Sequence, residues 1–423
     1  RSVSRGLGDV YKRQPMDDLH GNLRGIIEHM DDIQNLGIDV LYMTPIFQSN
    51  SCHKYDTTDY YQIDPSFGTT EDLKELVQKA HERGMKVVLD AVYNHTGREF
   101  FAFADILENG EKSKYRDWYF IDGFPLKSEW GEIPNFKCFG YYGGMPKLNL
   151  KNPEVEKYIT DVACYWIKEC DIDGWRLDVG DEISHFFWKN FRKAVKAVKK
   201  DMLIIGEIWH YAGDFLEGDE WDTVMNYPFY LNLIDLLADE KITVSQFVQN
   251  LGYLKGRLHK NCYPLMWNLI DSHDTARFLH LCNDNKKKQH LAAAFQLLLP
   301  GMPMIYYGDE YAMPGANDPD CRRGMYWDEE YQDKEMYEWY KRLIQVRKSH
   351  ACIVEGELAG IVTEDEEGTI VLIRKNGEET IAMIFNCSSS AKKFNEYTQK
   401  YNLLTENTFD GNVEGFDAAV IVL

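Results

Sequence analysis

The sequence has no long apolar run: nothing in it approaches the roughly 18 consecutive apolar residues of a membrane helix, so no membrane partner is expected. Basic charge is also scarce. Lys and Arg number 47 against 68 Asp and Glu, a formal net charge of -21, and nucleic acids and anionic membrane surfaces select the opposite balance. A neutral substrate fits better. The nine cysteines (Cys52, Cys138, Cys164, Cys170, Cys262, Cys282, Cys321, Cys352, Cys387) are odd in number, scattered, and include no CxxC pair. They read as free thiols of a reducing compartment, not as a zinc clip or a disulfide framework. With no signal peptide visible, the expected location is the cytoplasm. HxH and HExxH are missing too, which disfavours a metallohydrolase.

What is present is alternation. A chain of 423 residues, 44% of them hydrophobic, has room for one large α/β barrel with an appendage, or for two or three ordinary domains. From Leu19 onward short apolar runs alternate with segments of helical period, the pattern of repeated βα units around a parallel sheet. Strands are predicted in DVLYMTPI near residue 40, MKVVLDAV near 88, IDGWRLDV near 175, MLIIGEIW near 205, DTVMNY near 224, LMWNLIDS near 268 and MPMIYYGDE near 305. Helices are marked by stripes such as Leu23, Ile26, Ile27, Met30, Ile33, then Leu73, Leu76, Val77, Ala80, then Val155, Ile159, Val162, Ala163, Trp166. Five further helical segments follow, from SHFFWKNFRKAVKAVKK to KEMYEWYKRLIQVR.

Two stretches break the alternation. An aromatic- and glycine-rich excursion at about 97–150 lies inside one βα unit, where such length usually serves function. Its rings are expected to divide between a subdomain core and sugar stacking. After about His350 the texture changes: TIVLIRKNGEETIAMIF holds two β-rich runs joined through Asn376-Gly377, a hairpin signal. The expected organisation is therefore a barrel over 15–349 and a small antiparallel domain over 350–423.

Parallel α/β barrels place their active sites at the C-terminal ends of the strands. The polar residues there are Asp90, Asn94 and His95 in DAVYNH, Arg176 and Asp178 in GWRLDV, Glu207 in GEIW, and His273 and Asp274 in SHD. Residues two apart on a strand share a face, so Arg176 sets a cation beside Asp178. That favours an ionised, nucleophilic Asp178, whereas Glu207 on the next strand would feel its negative charge and keep a proton. One base-like and one acid-like carboxyl is what glycoside hydrolysis with retention requires, at a separation of about 5 to 5.5 Å. His53, His81 and His185 lack such company and read as surface or structurally satisfied histidines.

The ordered set DAVYNH, GWRLDV, GEIW and SHD resembles the four motif regions of the α-amylase superfamily of (β/α)8-barrel glycoside hydrolases, from about Asp17 to the C-terminus. The resemblance implies Asp178 as nucleophile, Glu207 as general acid and then base, and Asp274 as the carboxylate that holds the distorted sugar. It also implies His95 and His273 on sugar hydroxyls, Arg176 orienting Asp178, and Tyr55 of HKYDTTDYY stacked under the sugar. MPKLN at Met145–Asn149, His210 of GEIWH, and the run YYGDEYAMPGANDPDCRRGMYWD resemble the neopullulanase, cyclomaltodextrinase and maltogenic amylase group, adding His210 as a substrate-binding residue.

The implied activity is retaining hydrolysis of α-1,4 bonds, with α-1,6 bonds left open, in cyclomaltodextrins, pullulan or maltooligosaccharides. An oligo-1,6-glucosidase or transglycosylase, and a non-catalytic glucan-binding protein on the same scaffold, are the alternatives. No cofactor is expected; Asn94 matches a calcium ligand of many α-amylases, but this group often lacks that site. Homodimers in the group form through an N-terminal β-domain, so a dimer is expected of a full-length protein and not of this chain. Residues 1–14, RSVSRGLGDVYKRQ, carry four basic side chains and one acidic one and resemble a translated sequencing adapter. They are read as foreign, joined to a fragment without its first barrel strand, which predicts poor expression or activity of the chain as written.

Overall fold

The computed structural model describes residues 21–127 and 133–423. Contacts divide it into two compact units, one of the chain up to Gln34, Ile38–Ile208 and Asp214–Val224, the other of Asn35–Gly37, Trp209–Gly213 and Met225–Leu423. The reading of residues 1–14 as foreign, and of the strand ahead of the first helix as lost, lies outside the described residues.

In the first unit the stripe from Leu23 to Ile33 is buried as its period requires. It lies on two short helices, α1 (Leu23–Glu28) and α2 (Met30–Leu36), because the chain leaves helical geometry at His29 (φ -101°, ψ 15°). Next come β1 (Val40–Met43), β2 (Phe47–Ser49), β3 (Thr57–Ile63), α3 (Thr70–Glu82) and β4 (Lys86–Ala91). The antiparallel β2–β3 hairpin escaped the sequence reading. The insertion contributes α4 (Phe101–Asn109), also unpredicted. Among its aromatics Phe103 packs edge-on against Tyr119, while Tyr141 and Tyr142 stand exposed. After it come α5 (Pro153–Cys170), β5 (Gly174–Leu177), α6 (His185–Val198), β6 (Leu203–Gly206) and β7 (Thr223–Val224).

The strands form one parallel sheet in the order β1-β4-β5-β6-β7. Helices α3, α5 and α6 lie on its crossovers, the βα alternation expected of such a sheet. Its register positions the chemistry. Asp90 stands opposite Arg176, and Leu177 opposite Gly206. The ladder continues one step past the strand ends, with Asp178 donating its N–H to Ala91 O at 3.1 Å and Glu207 to Leu177 O at 3.0 Å. Asp178 and Glu207 therefore leave the C-terminal ends of adjacent strands. Residue 206 has to be glycine, since a Cβ there would lie 2.2 Å from the ring of Trp221.

The second unit holds α7 (Tyr227–Leu237), α8 (Val244–Arg257), β8 (Trp267–Asn268), α9 (Phe278–Leu281), α10 (Lys286–Leu298), β9 (Met302–Pro303), α11 (Lys334–Ser349) and α12 (Ala351–Glu355), with β8 and β9 paired in parallel. The C-terminal strands are β10 (Glu357–Glu364), β11 (Thr369–Asn376), β12 (Glu379–Asn386), β13 (Lys392–Lys393), β14 (Tyr401–Asn402), β15 (Asn407–Thr408), β16 (Asn412–Val413) and β17 (Asp417–Val422). They make a six-stranded antiparallel sheet, β10-β11-β12-β17-β14-β15, and a β13–β16 ribbon.

The predicted hairpin is β11–β12, with its turn one residue later than read. Asn376 pairs with Glu379, and Gly377 takes the positive φ of 60° that the first turn position needs. One face of the sheet, with Val371, Ile384 and Ile421, packs on Phe394, Phe409 and Val413. From the other face, Phe385 stacks on Phe295 of α10 at 4.3 Å. No helix among the described residues is long and apolar enough to cross a membrane.

Candidate active site

The first unit gathers its functional side chains around one cation. Arg176 is wholly buried; its Nη1 lies 3.1 Å from Asp90 Oδ2 and 2.9 Å from Asp178 Oδ1, and its Nη2 lies 2.9 Å from Glu207 Oε2. A planar guanidinium spans three carboxylates where a point charge could not. Burial opposes the charge on Arg176, yet the neighbouring Asp90 and Glu207 raise its pKa well above the ordinary value. Burial likewise lifts Asp90, against the pull of Arg176. Besides Asp178, the register of β4, β5 and β6 delivers Asp90 and Glu207 to the same guanidinium.

Past Asp178 the backbone turns sharply. Val179 has φ 47°, a conformation that costs a β-branched residue energy and that clusters at functional sites. The turn aims the Val179 N–H at Glu207 Oε2, 2.9 Å away, so Glu207 is gripped by a main-chain donor as well as by Arg176.

Tyr55 and His95 join the same network. Tyr55 and Tyr42 both donate their hydroxyls to Asp90 Oδ2, at 3.1 and 2.8 Å. The loop before Tyr55 is tied down by Lys54, itself at φ 67°, whose ammonium pairs with buried Asp64 at 2.7 Å. His95 Nε2 lies 3.0 Å from the Tyr55 carbonyl, and the imidazole stacks on Phe139 at 5.2 Å. Burial lowers the His95 pKa to about 4, so the ring is neutral near pH 7 and donates its Nε2–H to that carbonyl.

The second unit holds the remaining predicted residues. His273 Nε2 lies 3.2 Å from Asp274 Oδ2. Arg322 braces both: its Nε donates to the His273 carbonyl at 2.8 Å and its Nη2 lies 3.6 Å from Asp274. Behind them buried Arg277 donates to Tyr307 O at 2.9 Å and Asp309 at 3.1 Å. His210 is exposed, its Nδ1 3.3 Å from the Tyr211 carbonyl.

The Asn94 side chain faces an ammonium. Lys147 of the MPKLN stretch donates to Asn94 Oδ1, to Glu182 Oε2 at 2.8 Å and to Glu182 O at 3.1 Å. A cation thus already occupies this ring of oxygens, and no group of three or more His, Cys, Asp or Glu able to hold a metal occurs among the described residues. The three histidines read as satisfied have protein partners: His81 on Asp173, His185 on Glu220, His53 on the Tyr55 amide. Tyr42, Phe139, Lys147 and Arg322 went unassigned at the sequence level, though Lys147 and Arg322 stand inside quoted motifs.

With this geometry in view, residues 4–356 match the α-amylase catalytic domain family. The chain belongs to the α-amylase family. Its α/β-barrel and C-terminal antiparallel β-domain are the fold of a solved cyclomaltodextrinase that it resembles with a TM-score of 0.91 at 39% identity, covering 95% of this chain and 71% of that one. A cyclomaltodextrinase of Geobacillus thermopakistaniensis is 48% identical over 377 residues, 89% of this chain and 64% of the relative. Neopullulanase 2 of Thermoactinomyces vulgaris is 43% identical over 367 residues, 86% of this chain and 62% of the relative. The chain spans just under two thirds of the length of these two α-amylase family relatives.

Proposed function

We propose that this chain carries the catalytic machinery of a retaining α-glucan hydrolase that cleaves α-1,4 bonds in cyclomaltodextrins, pullulan or maltooligosaccharides. The observation that carries the reading is Arg176 holding Asp178 and Glu207 through two nitrogens of one guanidinium. Oxygens that share a guanidinium are close neighbours, which suits double displacement across a short carboxyl gap.

In this reading Asp178 Oδ attacks the anomeric carbon while Glu207 gives its proton to the departing glycosidic oxygen. The C–O bond breaks, a glycosyl ester forms on Asp178, and Glu207 then takes a proton from the water that hydrolyses that ester. Arg176 keeps Asp178 ionised. Asp274, braced by Arg322 and His273, is assigned to the hydroxyls of the distorted sugar; Tyr55, His95, His210 and His273 are assigned to substrate binding. A sugar hydroxyl must compete with the Tyr55 carbonyl for the His95 Nε2–H, so part of the His95 contribution is support of the Tyr55 loop.

The domain assignment that goes with this function is a barrel over 15–349 with an insertion at about 97–150, and a β-domain over 350–423. The location that goes with this reading is the cytoplasm. The deciding experiment compares Asp178→Asn and Glu207→Gln with the parent on maltotriose and β-cyclomaltodextrin. Both variants should keep the circular-dichroism spectrum and lose reducing-sugar release by a factor of about 10³ or more; release at the parental rate by either would refute the assignment.

A further inference from the structure

A cavity lies wholly inside the second unit, beside His210, whose chain neighbours Trp209 and Tyr211 both line it. It has a volume of about 350 Å³ and is lined by Tyr211, Leu231, Asp235, Asn250, Tyr253 and Arg257, among others. That volume is at the lower end of the range for small-ligand sites. Tyr253 and Arg257 are four residues apart on α8 and so share one face. Leu231 and Asp235, also four apart, do the same on α7.

Three features mark this cavity as prepared rather than incidental. The Tyr211 ring lies back across Gly213, where any Cβ would come 1.9 Å from the Tyr211 hydroxyl, so the loop is shaped to lay that ring down. The hydroxyl donates to the Arg257 carbonyl at 2.8 Å, fixing the ring to the C-terminal end of α8. The Arg257 guanidinium lies 3.8 Å over the Tyr211 ring and 5.3 Å from that of Tyr253, a double cation–π contact that holds both aromatics at low entropic cost to a ligand. Yet Tyr253 remains 67% exposed and Leu231 46% exposed. Apolar faces have been ordered and then left to solvent.

The polar groups select among ligands. The lining carries one guanidinium and one carboxylate, Asp235, whose Oδ1 lies 3.8 Å from Lys241, so no field of a single sign attracts a phosphate or a cation. Asn250 donates to Asn232 Oδ1 at 2.8 Å, fixing an amide at the rim. Flat aromatic faces beside an amide, a carboxylate and a guanidinium suit a neutral ring with an apolar face and a rim of hydroxyls.

We infer that this cavity is a second carbohydrate site, binding one or two glucose units of an α-glucan by stacking on Tyr253 and Tyr211, with Arg257 and Asn250 donating hydrogen bonds to sugar oxygens and Asp235 accepting from sugar hydroxyls. The choice of α-glucan among neutral sugars rests on the proposed function; the cavity itself does not.

The test is calorimetric titration of maltohexaose into the Asp178→Asn, Glu207→Gln chain, with and without Tyr253→Ala and Arg257→Ala. Two binding sites are expected in the parent and one in the variant, with Tyr253→Phe retaining both because the stacking face survives. In the active background, Tyr253→Ala should leave maltotriose hydrolysis within twofold of the parent. Equal stoichiometry with and without the substitutions, or no maltohexaose bound at all, overturns the inference. So does a change of sedimentation coefficient in Tyr253→Ala, which would make this a protein-binding face. A parent that binds two maltohexaose molecules but hydrolyses no α-glucan would sink the proposed activity and leave the second site standing.

Discussion

Nη2 of Arg176 lies 2.9 Å from Oε2 of Glu207, while Nη1 of the same side chain lies 2.9 Å from Oδ1 of Asp178. One wholly buried cation thus serves both candidate catalytic carboxyls, and Asp90 besides. Proton donor and nucleophile are electrically coupled through it.

Removing that cation should therefore act on stability and activity together. In Arg176→Met buried Asp90, whose pKa burial already raises, loses the guanidinium that pulls it down, so its folded-state pKa rises further above that of the unfolded chain. The contribution of Asp90 to stability is then present below the unfolded carboxylate range, near pH 4, and is lost as pH rises through its raised value. The variant should be destabilised by about 3 to 5 kcal/mol at pH 8 and recover part of this at pH 5, with hydrolysis reduced at least 100-fold. Melting curves at the two pH values check it; a pH-independent deficit would argue against the coupling.

Glu310, in the second unit, offers another titration. It is buried, accepts the Gly308 N–H at 2.7 Å, and burial raises its pKa to about 7. Stability from the protonated group is complete below about pH 4.5 and is lost as pH rises to 7. Glu310→Gln should match the parent at pH 4.5 and exceed it by about 2 to 3 kcal/mol at pH 8.5. Denaturant midpoints across this window would show the curves diverging upward; parallel curves would contradict it.

Lys147 makes a prediction about metal removal. Since its ammonium already satisfies Asn94 and Glu182, chelation with EDTA should leave both melting temperature and hydrolysis unchanged. Lys147→Met should lower stability by about 1 kcal/mol, a modest amount because Glu182 is half exposed. A melting temperature that falls with EDTA in the parent chain would show that a bound cation, not Lys147, closes this site.

The stacked pair Phe295 and Phe385 ties the C-terminal sheet to α10, and both rings are buried. Phe385→Ala should cost about 3 to 5 kcal/mol. If the sheet frays alone, limited proteolysis will release a fragment cut near residue 350; resistance equal to the parent would mean that the pair contributes little.

Much of this architecture was legible in the chain. Each of the seven predicted runs contains a strand, and each of the eight helical segments is helical, because apolar period and capping are local properties carried by adjacent residues. The candidate carboxyls were legible for the same reason: Arg176 and Asp178 share a face through two residues of strand geometry, and Glu207 ends the next apolar run. What went unseen needed long-range contact. The β2–β3 hairpin lacks a two-residue turn signal, since seven residues separate its strands.

The sequence by itself determined which residues could do chemistry and on which strand ends they stand, since covalent spacing and strand period leave little choice there. Only the tertiary structure decided who touches whom. Asp90 comes to Arg176 from 86 residues away, and Tyr42 to Asp90 from 48. Lys147 reaches Asn94 across 53 residues, and Arg322 reaches His273 across 49. Those contacts follow from sheet register and loop packing, which many distant residues set together and no local window of the chain contains.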